Sequence, residues 1–384
     1  MAAGGEASVR LCGYTIAIMA DRKQPKAMVL IVVVYIVAAL NILAYALAFR
    51  SRIAMRKTEL LIEKLQQEQL AFGACAHAGG TLAADDAGVD YFGEPWCGLH
   101  EVELNDISIE GIDAVGGGWQ LIWELIDESS KINVNLASGE LLRGLGYLDE
   151  AAIASLRDWI DEDDSPNPDG AETSYYSGLV PSYKCKNSPI ESPDELLLIK
   201  GLSAGLYFGD SLSEDKNGQI YTDYDSIETA DTDMQDGVVN LSDLLTVYGD
   251  GRININTVSR QVLEAVPLLS DSAVKEIITI QQNKVRKFSA IEEIESNDNF
   301  TPADKLTLIQ IAKFNSDHFR LHIKMRKNAR HQWCEFTAII ERYGEKIRLL
   351  RWERGPKGYE KDATDVLAYA VERTDAPLSG GGSF

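Results

Sequence analysis

Paired metal-binding or redox cysteines are missing from this chain. Its five cysteines include no CxxC spacing, which removes the usual zinc and thioredoxin-like readings. The five histidines form no HExxH or triad-like arrangement; His318, His322 and His331 fall on or beside segments expected to be edge strands, where surface or structural roles are the simpler reading. No P-loop, GxGxxG or GxSxG follows an expected strand, so no catalysis is assigned. Positive charge is short too. With 37 Lys+Arg against 59 Asp+Glu the formal net charge is -22, which argues against a nucleic-acid surface and leaves room for a bound cation.

Charge is absent altogether from one long stretch, Met28 to Phe49. As a helix it would extend about 33 Å, enough to cross a bilayer. Strong helix formers continue from Arg50 to Phe72 without Gly or Pro, so one helix is expected to run to Gly79-Gly80, half in lipid and half in water. Ile53, Leu60, Leu61, Leu65 and Phe72 recur at helical spacing and predict a face that the rest of the chain covers. Arg22, Lys23 and Lys26 precede the apolar run, while Arg50, Arg52, Arg56 and Lys57 follow it. Charge alone therefore leaves the orientation open. The 384 residues, 45% of them hydrophobic, allow two domains with sizeable cores. Cys75, Cys97, Cys185 and Cys334 lie beyond the run, and both disulfides (three connectivities) and buried thiols remain open.

Beyond Gly80, alternation predicts strands at 101–110 and 119–127. It returns only near the other end, at 319–325, 334–343 and 346–352, with a turn at Tyr343-Gly344-Glu345. The three late runs read as an antiparallel meander. Residues 131–314 between the two groups are mostly helical and loop-like by pattern. Two segments there look alike, Lys131-Ile-Asn-Val-Asn135 and Arg252-Ile-Asn-Ile-Asn256, each followed by a helix opening at Ser138 or Ser259. The second continues in a way that resembles helix-hairpin-helix units of competence-type DNA receptors. Its hairpin, Pro267 to Asp271, lacks the glycine and carries a carboxylate where phosphate would sit. Both units are read as packing modules.

The basic leader, uninterrupted apolar helix and amphipathic extension together resemble type IV pilins and pseudopilins. The resemblance implies a prepilin peptidase cut between Ala27 and Met28, although that family usually has Gly before the cut. Most members carry Glu at the fifth mature position, where this chain has Val32, a loss shared with the protein K family of minor pseudopilins in type II secretion. The segments 156–176 and 181–202 resemble that family's signature through Asp158, Trp159, Asp161, Asp163, Asp164, Gly170, Ala171, Glu172, Tyr175, Tyr176, Pro189, Glu195 and Leu196.

What the resemblance implies is an α+β pseudopilin fold: a long N-terminal transmembrane helix packed on an antiparallel sheet, with a large mainly helical insertion containing helix-hairpin-helix or SAM-like units. The expected parts are a cytoplasmic leader 1–27, a helix 28–78 (28–49 transmembrane), and a discontinuous α/β domain 79–130 plus 315–354. To these are added the insertion 131–314 and a flexible tail 355–384. The expected role is that of a minor pseudopilin at the pseudopilus tip, anchored once in the inner membrane with its C-terminal part periplasmic. Its implied partners are pseudopilins resembling proteins I and J and the prepilin peptidase, with no nucleic acid. The rival readings are a membrane-anchored DNA-uptake receptor and an anchored enzyme or calcium-binding stalk.

Hard oxygen ligands on flexible loops suit calcium. Asp161, Asp163, Asp164 and Glu172 form one candidate cluster, which the resemblance supports. Asp231, Asp233, Asp236 and Asp243 form a second, whose spacing departs from an EF-hand because Gly237 stands seventh rather than sixth.

Overall fold

A computed structural model describes residues 26–104, 118–208, 212–214, 220–222, 240–283, 285–327, 333–344 and 346–355. Helix α1, Lys26–Ala83, holds the charge-free run. The stretch up to Leu65 forms one compact unit and residues from Gln66 onward another. In the first unit the described side chains are almost all exposed, among them Ile53, Leu60, Leu61 and Leu65.

In the second unit α1 buries a different face. Ala71, Ala74, Ala78 and Leu82 recur every three or four residues and are at most 7% exposed. Alanine side chains let the helix axis approach a sheet closely. The helix also runs past Gly79-Gly80, where a stop was expected. A Cβ at Gly79 would meet the Ile347 side chain at 3.3 Å, so the glycine serves close packing and does not end the helix.

The sheet has five antiparallel strands: β1 (Leu99–Leu104), β2 (Trp119–Asp127), β3 (His318–Lys327), β4 (Cys334–Tyr343) and β5 (Lys346–Arg354). They lie in that order across the sheet. Strict alternation makes every second residue of β2, from Trp119 to Asp127, a buried one, as a sheet with one covered face requires. Trp119, Leu121, Trp123 and Leu125 join Phe319, Leu321, Ile323, Met325 and Phe336 in one core with the α1 alanines. Phe72 stacks on Trp352 with ring centroids 4.4 Å apart. The expected edge placement of His318 and His322 is overturned, because β3 is the central strand, paired from Trp119↔Lys327 to Asp127↔Phe319 with β2 and also with β4. His331 lies outside the described residues, as do the tail 356–384 and residues 105–110 of the first expected strand. No disulfide joins Cys75, Cys97, Cys185 or Cys334.

Between β2 and β3 the chain builds a second core, running from Ile132 to Ala312. It is organised by the two Asn-rich segments. Helices α2 (Gly139–Gly144) and α3 (Glu150–Ile160) follow the first, with Ser138 and Asp149 as N-caps. Helices α4 (Arg260–Ala265) and α5 (Asp271–Gln282) follow the second, capped by Ser259 and Ser270. Each cap accepts a backbone N–H that the helix start leaves unpaired. The second Asn of each segment grips one distant backbone residue. Asn135 Nδ2 donates to Ile190 O (2.9 Å) while Ile190 N donates to Asn135 Oδ1 (2.7 Å); Asn256 makes the same two bonds with Phe288, both at 2.8 Å. The repeat seen in the sequence is thus a repeat of hydrogen bonding.

The insertion is rooted at one end of the sheet, beside the C-terminal end of α1. Asp127 Oδ2 accepts from Asn254 Nδ2 (3.1 Å) and from Ser316 Oγ (2.6 Å) and Thr257 Oγ1 (2.5 Å). Asp90 N donates to Phe314 O (2.8 Å). All of these side chains are buried, so the root is fixed by polar groups that have no access to water.

Candidate metal centre

Helix α3 presents Asp158 on its buried face and ends at Asp161, which is its C-cap. The loop that follows folds back over α3. Asn167 donates to Asp158 Oδ1 through its backbone N (3.1 Å) and its side chain (2.5 Å). A Cβ at Gly170 would lie 2.0 Å from Asp158 Oδ2, so any other residue here would displace the Asp158 carboxylate. Lys200 Nζ holds the loop through Asp169 O (2.9 Å) and Gly170 O (3.1 Å). The return path delivers Glu172 to the same place, at the start of the helical turn Thr173–Tyr176. Trp159, Tyr176 and Tyr183 form the adjoining aromatic wall, with Trp159 and Tyr176 edge to face at 5.1 Å.

Asp158, Asp161 and Glu172 each place a carboxylate oxygen within 4.8 Å of the other two. Asp158 and Glu172 are 0% and 1% exposed. Oδ1 of Asp161 is buried with no hydrogen-bond partner, and the buried oxygens of Glu172 have no polar N or O partner, only the weakly donating Cys185 thiol beside them. Burial raises the pKa of Glu172 against a lowering contact from the Cys185 thiol, and neighbouring Asp158, Asp161 and Asp164 raise it further. Burial likewise raises Asp161, with Asp163 and Asp158 adding to it. Three converging carboxylates with orphaned oxygens fit a hard divalent cation, which would supply the missing charge and accept those oxygens as ligands.

The ligand set differs from the one expected. Asp161 and Glu172 converge, but Asp163 and Asp164 do not join them. Asp163 Oδ1 accepts from Ser165 N (2.8 Å) and Asp164 Oδ1 from Thr173 N (3.2 Å). Both are exposed turn-formers, a common use of Asp in loops. Asp158 was missing from the expected set, although it sits one helical turn before Asp161 and that spacing was a legible signal. Of the second expected cluster, Asp231, Asp233 and Asp236 lie outside the described residues, and Asp243 is exposed in the short helix Leu241–Leu244.

A further acidic group, Asp85, Asp90 and Glu94, also converges. It already contains a cation. Arg342 pairs with Asp90 and donates to Ser316 O at 2.8 Å, so this cluster reads as a buried ion-pair network.

A long helix whose last turns lie on a five-stranded antiparallel sheet is the fold of a pseudopilin, here interrupted by a large insertion. In overall structure the chain is similar to a crystal structure described as the GspK-GspI-GspJ complex from the enterotoxigenic Escherichia coli type 2 secretion system, with TM-score 0.54 and 18% identity, covering 78% of this chain and all of that one. Residues 125–208, which contain the carboxylate cluster, match the family model for type II secretion system protein K. The chain is 30% identical to type II secretion system protein K of Klebsiella pneumoniae over 46% of its own length and 58% of that protein. It is 25% identical to the Pectobacterium carotovorum protein K over 48% and 61%, and 28% identical to that of Aeromonas hydrophila over 47% and 60%. The matches thus span about three fifths of these relatives. The resemblance read from the sequence is to the same protein.

Proposed function

We propose that this chain is a minor pseudopilin that ends a type II secretion pseudopilus and takes part in its initiation and in protein export across the outer membrane. The observation that carries the reading is where the insertion is rooted. Residues 131–314 leave the sheet after Asp127 and return at His318, beside the C-terminal end of α1. A body of that size above the pilin fold would collide with a subunit stacked there, so it can terminate a filament but not extend one. Val32, in place of the usual carboxylate, fits a subunit with no neighbour above whose N-terminal ammonium needs neutralising.

The apolar part of α1 is the one helix among the described residues long and apolar enough to cross a membrane. In this reading it anchors the protein once in the inner membrane, with the remainder periplasmic, after cleavage between Ala27 and Met28 by a prepilin peptidase. The partners are minor pseudopilins resembling proteins I and J. Asp158, Asp161 and Glu172 hold calcium, which neutralises them and fixes the loop against α3.

The DNA-receptor reading is disfavoured by a specific contact. Ser270 N, at the start of α5 where a phosphate would bind, already donates to Asp304 Oδ1 at 2.8 Å, and Ser270 Oγ donates to Asp304 Oδ2 at 2.9 Å. A carboxylate occupies the anion position. The deciding experiment co-expresses the full-length chain with pseudopilins I and J in membranes and captures it from detergent. A stable ternary complex is expected. Failure to retain either partner, together with salt-sensitive duplex binding, would transfer the case to the DNA receptor.

A further inference from the structure

A small open cleft, with about 30 Å³ of room for the centres of water-sized molecules, lies between the insertion and the outer face of the sheet. Tyr207, Phe208 and Tyr248 form its apolar wall, and Arg320 and Arg351 also line it. Arg320 is only 2% exposed. Its Nε pairs with Glu128 Oε1 at 2.9 Å, yet its Nη2 is buried without a hydrogen-bond partner. A buried guanidinium N–H left open is costly, and it marks a place where an acceptor belongs.

Arg320 belongs to a buried polar cluster. Glu128 is a single buried carboxylate facing two buried cations, Arg320 and, at 2.8 Å, Lys131. Thr246 Oγ1 donates to its other oxygen at 2.6 Å. Burial and the neighbouring Arg320 lower the pKa of Lys131, against the pull of Glu128 and Asp243, so Arg320 is the cation that the cleft offers. At the rim, Arg351 is already held by Asp194 and Glu353. Those two acids would repel a doubly charged ligand, whereas a planar singly charged group can pass them and accept from Arg320.

We propose that this cleft binds a single carboxylate, with Arg320 Nη2 as donor and the aromatic wall covering the apolar part of the ligand. The carboxylate is either that of an acidic side chain on a polypeptide or a free small acid. The site is separate from the carboxylate cluster on α3 and does not depend on the secretion reading.

The test uses the full-length chain in detergent micelles. Carbon-13 acetate is titrated at constant ionic strength against chloride, with line broadening of the methyl resonance as readout, followed by competition from a capped tetrapeptide carrying one Glu and its Gln counterpart. Saturable acetate broadening that chloride does not displace is expected. Arg320→Lys keeps the charge beside Glu128 but loses the planar fork and should weaken binding at least tenfold; Phe208→Ala, at a half-buried wall position, should weaken it several-fold. Competition by the Glu peptide and not the Gln peptide, below the acetate concentration needed, identifies a polypeptide source, and acetate binding alone identifies a free acid. Unsaturable broadening, equal displacement by chloride, or unchanged binding in both variants would overturn the site.

Discussion

Gly144 and Ala265 touch where the two helix pairs of the insertion cross: a Cβ at Gly144 would stand 2.3 Å from Ala265 O and 2.9 Å from its Cα. Each residue is the last of its helix, α2 or α4. The two repeats therefore pack through equivalent positions, and only a glycine lets the backbones meet.

Gly144→Ala sets two effects against each other. Helix propensity favours alanine by about 1 kcal/mol, while overlap with backbone that cannot rotate away costs about 1–3 kcal/mol. The second should win, lowering the urea midpoint of the full-length chain. A raised midpoint would mean that the two repeats are not in contact.

Asn254 should matter more than its counterpart Asn133. Asn254 Nδ2 reaches Asp90 O (3.1 Å), Asp127 Oδ2 (3.1 Å) and Ser316 Oγ (2.9 Å) in a fully buried site. Asn133 Nδ2 reaches the backbone oxygens of Tyr248 and Gly249, both at 3.0 Å, in a half-buried site. Orphaning buried acceptors costs about 1–3 kcal/mol. Asn254→Ala is expected to fall at the upper end of that range and Asn133→Ala at the lower, as read from denaturant unfolding of both variants.

Calcium should raise the melting temperature of the full-length chain, by about 2.7 kcal/mol of stability at one hundred times its dissociation constant. Magnesium should do less, since it needs a tighter octahedron. Glu172→Gln should abolish the effect and Asp163→Asn should leave it intact. Because burial raises the pKa of Glu172 and Asp161, protons compete with the metal, and the calcium increment should shrink from pH 7.5 to pH 5. Equal increments in wild type and Glu172→Gln would remove the proposed site.

Glu94 gives a separate pH signature. Burial pushes its pKa up to about 7, against hydrogen bonds from Trp96 and Tyr91 that lower it. A carboxyl raised in the folded state favours folding fully below its unfolded pKa, and that contribution is lost as pH rises toward 7. Glu94→Gln should therefore flatten the decline in stability between about pH 4.5 and 7. Parallel wild-type and variant curves across that window, from urea melts at several pH values, would contradict this.

Processing is checked by sequencing the N-terminus of protein purified from membranes. Met28 is expected as the first residue. An intact Met1, or a cut between Ala38 and Ala48, would contradict the pseudopilin reading.

The strands were legible because alternation survives in a sheet with one covered face, as β2 demonstrates from Trp119 to Asp127. The helix starts at Ser138 and Ser259 were legible because capping is local chemistry. The edge placement of His318 was misread because strand position depends on partners: β2 reaches β3 only across the whole insertion. Beyond Gln66 the face that α1 buries was only partly legible. Periodicity marked the large side chains, whereas close approach to the sheet selected Ala71, Ala74 and Ala78.

The sequence by itself determined the elements whose causes are short-range: a charge-free run long enough for a bilayer, alternating strands, capped helices and a duplicated Asn-rich turn. Only the tertiary structure decided which carboxylates meet, because that depends on a loop returning over Gly170 to set Glu172 against Asp158 and Asp161. Asp163 and Asp164 have the same chemistry and lie nearer in the chain, yet they are used up by backbone N–H groups. Convergence in space is a property of the fold, and residue type and spacing only make it possible.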